Sequence, residues 1–254
     1  MDLIERNANG SGRHPWEVAR SRFFVHLLDR LAGAVATRVL DVGSGDAWLA
    51  GQLRAASPAF EITCWDVNYA PDELAELAEG NPGLLFSSKS PEGSFGGILM
   101  LDVIEHVEDD LDFVRTTIQE HLQEGGWLLA SVPAYQSLFT SHDTWLKHYR
   151  RYSPTACRNL LNSAGLDVVA EGGLFHSLLP IRGLSAAKER LRRATVNDQG
   201  VGGWNGGPMA TRATTAVLDA DTSMSLWLGT RVHRVVPGLS YWAFCRQASG
   251  GSSS

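Results

Sequence analysis

The stretch Val39–Ala50, VLDVGSGDAWLA, decides how this chain is read. Val39 to Val42 reads as a strand buried on both faces, as strands of parallel sheets are. Gly43, Ser44 and Gly45 follow as a turn with little side-chain bulk, where a ligand can approach the backbone. A helix begins next and points its free N–H groups at that ligand. This geometry suits a nucleotide-type cofactor. An ordinary strand-to-helix turn, with glycines for steric reasons only, is the plain alternative.

Two kinds of cofactor use such a turn. A dinucleotide fingerprint requires G-x-G-x-x-G with pyrophosphate on the helix N-terminus. Gly43 and Gly45 fit it, but Trp48 stands where the third glycine belongs. Asp41 and Asp46 flank the turn, and carboxylates repel a pyrophosphate while they suit an ammonium or ribose hydroxyls. The D-x-G-x-G-D pattern resembles motif I of class I S-adenosylmethionine (SAM) dependent methyltransferases, with Ala47 where that family usually carries another glycine. The resemblance implies an α/β fold with a Rossmann-like, seven-stranded, mostly parallel sheet, helices on both faces, SAM as cofactor and S-adenosylhomocysteine as product. It places Asp41, Gly43, Ser44, Gly45 and Asp46 at the cofactor. Asp66 lies about 20 residues past the turn, where an acidic side chain accepts ribose hydroxyls, and Val67 would border the adenine. The acidic residue expected near the adenine is replaced by FSSKSPEG, with Ser88 or Lys89 in its place.

Further segments carry the same resemblance. ILMLDVIEHVEDD (Ile98–Asp110) is similar to the family's segment after the fourth strand, which puts Asp102 and His106 near the cofactor. RHPWEVARSRFF (Arg13–Phe24) and SHDTWLKHYRRYSP (Ser141–Pro154) are similar to segments of one bacterial branch acting on small molecules, lipids or glycans, and Arg20 would reach the methionine carboxylate. The likeness spans residues 13–175 and loosely the last strand.

Composition limits the remaining choices. The chain has 254 residues, 44% of them hydrophobic, and a net charge of −6, which argues against a nucleic-acid partner. Cys64, Cys157 and Cys245 are widely spaced, without C-x-x-C, so no metal is expected and the thiols fit a reducing compartment. The N-terminal residues are polar and no run of about 18 apolar residues occurs, so no leader or membrane span is expected and the location is read as cytoplasmic.

Helices are expected over residues 16–31, 71–78, 109–123 and 153–164, and strands over 39–42, 61–66, 84–86, 96–103, 125–133, 166–171 and 239–246. The whole chain, 1–254, reads as one domain: a core of 13–175 and 238–247, an inserted helical cap over 176–237 before the last strand, and a flexible tail, 248–254. Within the insert, helices near 184–194 and 211–232 flank the glycine-rich loop Gly200–Pro208. The insert is expected to cover the substrate pocket, with a helical hairpin or a dimer contact as alternatives; a homodimer is compatible with the sequence.

His142, Asp143, His148, Arg151 and Tyr152 form a dense polar cluster after the fifth strand. Methyl transfer to oxygen or nitrogen needs an aligned nucleophile and often a base. His142 is the first candidate base, with His106 and His148 behind it, and Asp143 could orient one of them. Arg150 or Arg151 could hold an anionic group of the acceptor. Trp145, Trp204 and Trp227 could line a pocket, or belong to the core. The expected activity is SAM-dependent methyl transfer to a small-molecule acceptor: a natural product or a sugar- or lipid-linked metabolite. A SAM-binding fold recruited to a cyclase or decarboxylase reaction, or to binding without catalysis, is the alternative.

Overall fold

A computed structural model describes residues 13–33, 37–192, 206–232 and 235–248. The first helix, α1 (Pro15–Leu31), starts at a reciprocal cap: His14 Nδ1 accepts from the Trp16 N–H, and Glu17 accepts from the His14 N–H. Its buried face, Ala19, Phe23, Phe24, Leu27 and Leu28, repeats at helical spacing. Then come β1 (Thr37–Val42), α2 (Trp48–Ala56), β2 (Phe60–Trp65), α3 (Pro71–Gly80) and β3 (Leu84–Ser87). They are followed by β4 (Phe95–Leu101), α4 (Asp110–His121), β5 (Leu122–Pro133), α5 (Ser141–Trp145), α6 (Pro154–Ser163) and β6 (Leu166–Leu174). The insert supplies α7 (Leu179–Arg192) and α8 (Pro208–Trp227), and β7 (Ser240–Gln247) closes the sheet.

The seven strands run in the order β3-β2-β1-β4-β5-β7-β6. β1 pairs in parallel with β2, from Thr37 opposite Phe60 to Val42 opposite Trp65, and with β4, from Val39 opposite Gly97 to Val42 opposite Met100. Strand order therefore reverses beside β1, and the carboxyl ends of β1 and β4 border the crevice where ligands of such sheets sit. β7 is antiparallel to both β5 and β6.

Each face of the sheet carries its own core. One joins Phe23, Phe24, Leu27 and Leu28 of α1 to Ala50 and Leu53 of α2, Leu218 and Leu226 of α8, and Trp127, Trp242 and Phe244 of the strands. The other packs Val114 and Ile118 of α4 and Cys157 and Leu161 of α6 on Leu40, Ile98, Leu128 and Tyr241. α8 thus packs beside α1 on the same core. β4 stops at Leu101, two residues short of the expected Val103, because Asp102 turns left-handed at φ 60°. α7 begins at Leu179 rather than near Leu184, with Pro180 tolerated in its first turn. The glycine-rich loop up to Asn205, Trp204 and the tail from Ser249 lie outside the described residues. No helix among the described residues is long and apolar enough to cross a membrane.

Candidate functional site

The glycine turn is closed by its neighbours. Gly43 and Ser44 N–H groups donate to the Trp65 carbonyl at 2.7 and 3.3 Å, which pins the turn to the end of β2. The Gly45 N–H donates to Asp66 Oδ2 at 3.1 Å, and Asp66 Oδ1 accepts from the Asn68 N–H and side-chain amide at 2.9 and 3.0 Å. Asp66 therefore fastens the end of β2 to the turn. Gly43 and Gly45 are left-handed at φ 64° and 55°, and a Cβ on Gly43 would lie 2.7 Å from a Val103 methyl. Tyr69, which sequence reasoning did not single out, clamps the turn from below: its buried hydroxyl donates to the Gly45 carbonyl at 2.6 Å and lies 2.8 Å from Ser44 Oγ. A tyrosine three residues past an acidic strand end was the available signal.

Beside the turn lies a cleft open to solvent and lined by Glu17, Arg20, Asp41, Gly43, Ser44 and Trp48, with Leu101 from β4. Asp41 is buried at its inner wall, and burial pushes the carboxyl up to about 7, against the pull of the Arg20 charge. Arg20 reaches across from α1. Its guanidinium pairs with Asp102 Oδ2 at 2.7 Å and Ser131 Oγ at 3.2 Å, and packs over Trp16 and Phe24. Ser131 in turn donates to Asp102 Oδ1 at 2.9 Å. Asp46 is held by Arg13, whose guanidinium also lies 4.9 Å over the Trp48 ring. Val67 stands 73% exposed just past β2, outside the residues that line the cleft.

Besides Lys147, in the loop after α5, four residues without glycine's freedom adopt φ between 55° and 63°: Ala47, Asp102, Tyr135 and Phe175. They follow β1, β4, β5 and β6 respectively, on the rim that binds ligands in this fold class. Such conformations persist only where surrounding structure holds them, and they concentrate at functional sites.

The polar cluster after β5 is organised around Asp143, which is fully buried. It accepts from the Thr140 N–H at 2.9 Å, from Arg151 Nε at 2.7 Å and from Arg182 of α7 at 2.8 Å, and pairs with His148 Nδ1 at 3.1 Å. Burial alone would raise this carboxyl, but His148 and Arg151 outweigh it and hold it well below the usual carboxylate range. Asp143 thus orients His148, not His142. His142 stacks on Trp145 with centroids 5.9 Å apart, and burial together with the Arg182 charge lowers its pKa. The His148 ring meets His106 edge to face at 4.6 Å, and His106 closes the 3₁₀ turn Ile104–His106 just after Asp102. Two histidines from the two loops beyond β4 and β5 are therefore brought together.

The arginines are engaged in structure. Arg151 is buried against Asp143, and Arg150 holds Asp110 and the Glu108 carbonyl at 2.7 Å each. Both make these contacts within the protein, as Arg20 does with Asp102 and Ser131. Trp227 is half exposed near the end of α8, and Trp145 lies against His142.

A family of methyltransferase domains matches residues 16–171. No curated protein matches the chain. Among solved structures, the N-methyltransferase NodS from Bradyrhizobium japonicum, in complex with S-adenosylhomocysteine, is 14% identical, with a TM-score of 0.54 and 97% of each chain covered. The [4+2]-cyclase SpnF is 18% identical, with a TM-score of 0.57 over 97% of this chain and 86% of its own. Coclaurine N-methyltransferase, bound to N-methylheliamine and S-adenosylhomocysteine, is 11% identical, with a TM-score of 0.57 over 96% of this chain and 79% of its own. At these identities the likeness is one of fold.

Proposed function

The chain belongs to the methyltransferase domain family, and we propose that this SAM-dependent methyltransferase acts on a small-molecule acceptor: a natural product or a sugar- or lipid-linked metabolite. The observation that carries the reading is the glycine turn bound to Asp66, next to a cleft walled by Asp41 and Arg20. Asp66 offers its carboxylate to the ribose hydroxyls. Gly43, Ser44, Gly45 and Asp46 shape the turn beneath the nucleoside, and Val67 borders the adenine. Asp41 faces the cofactor's ammonium, and Arg20, with Asp102 behind it, takes the methionine carboxylate.

For the transfer, the cleft and the loops after β4 and β5 would have to hold an acceptor lone pair in line with the cofactor's methyl group. When bound, SAM would supply an electrophilic methyl group on its sulfonium, with Asp66, Asp41 and Arg20 as the residues that would hold it. Alignment is the main contribution of the protein to such a step. The acceptor atom also has to lose its proton, and His106 and His148 are the groups assigned to its activation. His148, fixed by Asp143, displaces His142 as the leading candidate.

The whole chain is taken as one catalytic unit, with α7 as the portion of the insert that reaches the acceptor side through Arg182 and through Glu189, which accepts the Ser141 N–H at 2.8 Å. The net charge of −6 supports a small molecule over a nucleic acid. A second reading, SAM binding with cyclase chemistry, is favoured only by the fold shared with SpnF. Calorimetric titration with S-adenosylhomocysteine, followed by an S-adenosylhomocysteine-release assay over an acceptor panel, separates the two. Methyl transfer gives release together with a product heavier by one CH₂. Binding without release on any acceptor would reject it.

A further inference from the structure

The side chain of Glu105 is fully buried, and neither of its carboxylate oxygens has a hydrogen-bond partner. A carboxylate removed from water without a partner is strongly disfavoured, and buried charges are found paired or coordinating a metal. Glu105 sits in the turn Ile104–His106, beside His106, and the His148 ring packs on His106. One ligand atom from each of Glu105, His106 and His148 lies within 4.8 Å of the others. The loops are stitched together at this point, because the Tyr149 N–H donates to the Glu105 carbonyl at 2.8 Å.

We propose that Glu105, His106 and His148 form a binding site for a divalent transition cation of the Zn²⁺ type, and that the cation takes the hydroxyl oxygen of the acceptor. The second half rests on the methyl-transfer reading; the first does not. Two imidazoles and one carboxylate are a ligand set that Zn²⁺ accepts, leaving an open position for water or substrate. Bond lengths of about 2.0–2.2 Å set tetrahedral ligand atoms about 3.4 Å apart. The three ligand atoms lie within 4.8 Å of one another; Asp143 anchors His148, and the His106 ring, on the short turn after β4, is the member that would close the remaining distance.

The surroundings fit this use. His148 gives its Nδ1 side to Asp143, so Nε2 carries the lone pair that a metal needs. A carboxylate behind a ligating histidine fixes tautomer and ring orientation. Asp143 is itself held by Arg151 and Arg182, so it acts as a positioning residue. Cysteine spacing gave no metal pattern because the ligands are a glutamate and two histidines from two loops. The cation lowers the pKa of a bound hydroxyl. The proton leaves to water, the oxygen forms its bond to the methyl carbon, and the sulfur takes the C–S pair; the cation is unchanged.

The test is calorimetric titration of chelator-treated protein with Zn²⁺ alone. One ion per chain is expected, with affinity at least tenfold weaker in Glu105→Gln and in His148→Ala. S-adenosylhomocysteine affinity, measured on the same samples, should be unchanged, which reports that the variants are folded and stands or falls with the methyltransferase reading separately. No Zn²⁺ binding by the wild-type protein, or equal binding by both variants, overturns the site. Binding together with equal turnover of a hydroxyl acceptor by chelated and Zn²⁺-loaded enzyme overturns the acceptor role.

Discussion

Asp41→Asn separates the two demands placed on the inner wall of the cleft. Carrying a carboxyl from its ordinary 3.8 to about 7 corresponds to roughly 4 kcal/mol of destabilisation once it ionises, at about 1.4 kcal/mol per pH decade. The cause is burial, only partly offset by Arg20. The folded chain therefore holds a proton that the unfolded chain has released, and stability is lost as pH rises from about 4 to about 7. Between pH 5.5 and 8 this one group should remove about 2 kcal/mol from the unfolding free energy of the cofactor-free protein. The amide of the Asp41→Asn variant carries no charge, so that protein should lack this component of the slope and be the more stable of the two at pH 8, by up to about 4 kcal/mol. The cofactor reverses the preference, because its ammonium favours the ionised carboxylate. Wild-type affinity for SAM should thus weaken about tenfold per pH unit below about 7, while the variant binds weakly at every pH. Urea unfolding at several pH values and calorimetric SAM titrations give both curves. Identical stability slopes in the two proteins would refute the argument from burial, and a SAM affinity in the variant equal to wild type would remove Asp41 from the cofactor.

Asp66→Ala should weaken SAM binding by about 1–3 kcal/mol, through lost ribose contacts and a loosened Gly45; unchanged affinity in a calorimeter would take Asp66 out of the site. His148→Ala should lower turnover roughly 10²- to 10⁴-fold, the range of a lost acid–base or activating group, and His142→Ala by far less. The reverse order in steady-state kinetics would restore His142 as the acting group. Gly97→Ala would place a Cβ 2.2 Å from the Trp127 ring. A thermal melt should therefore show the loss of about 1–3 kcal/mol or more typical of overpacking, with no such loss if the ring can move aside. Asp143→Ala should destabilise the fold by about 3–5 kcal/mol, since it strands Arg151 and Arg182 beside a buried site; a melting temperature equal to wild type would show the cluster to be dispensable.

What could be read from the chain and what could not divide along sequence distance. The strands and α1 were legible because apolar periodicity is local. The glycine turn was legible too, because Gly43 and Gly45 sit within one motif, and Asp66, which binds the Gly45 N–H, follows at a fixed offset. Tyr69 escaped because its contact to Gly45 closes only when β2 lies beside β1. The place of α8 escaped because its buried positions, Leu218 and Leu226, gain meaning only from α1 and the sheet. Asp143 was seen as a possible orienting group, but its link to Arg182 spans the whole of β6 and could not be read from spacing.

The left-handed residues make the same point in backbone terms. Gly43 and Gly45 advertise their conformation, since glycine is the residue that takes positive φ at no steric penalty. Ala47, Tyr135 and Phe175 do not, and Asp102 does so only weakly, as a residue type that tolerates the left-handed region better than most. Ala47 stands where the resembling family carries glycine, and it takes the left-handed angle that glycine would take freely. At Asp102 the turn ends β4 early, swings the carboxylate to Arg20 and Ser131, and starts the short turn that delivers Glu105 and His106. A residue in the β region there would carry the strand on to Val103 and send His106 elsewhere. The local strain at Asp102 is therefore what joins the cleft beside β1 to the turn that carries Glu105 and His106. It is held there by Arg20 and Ser131, two partners that lie far from Asp102 along the chain.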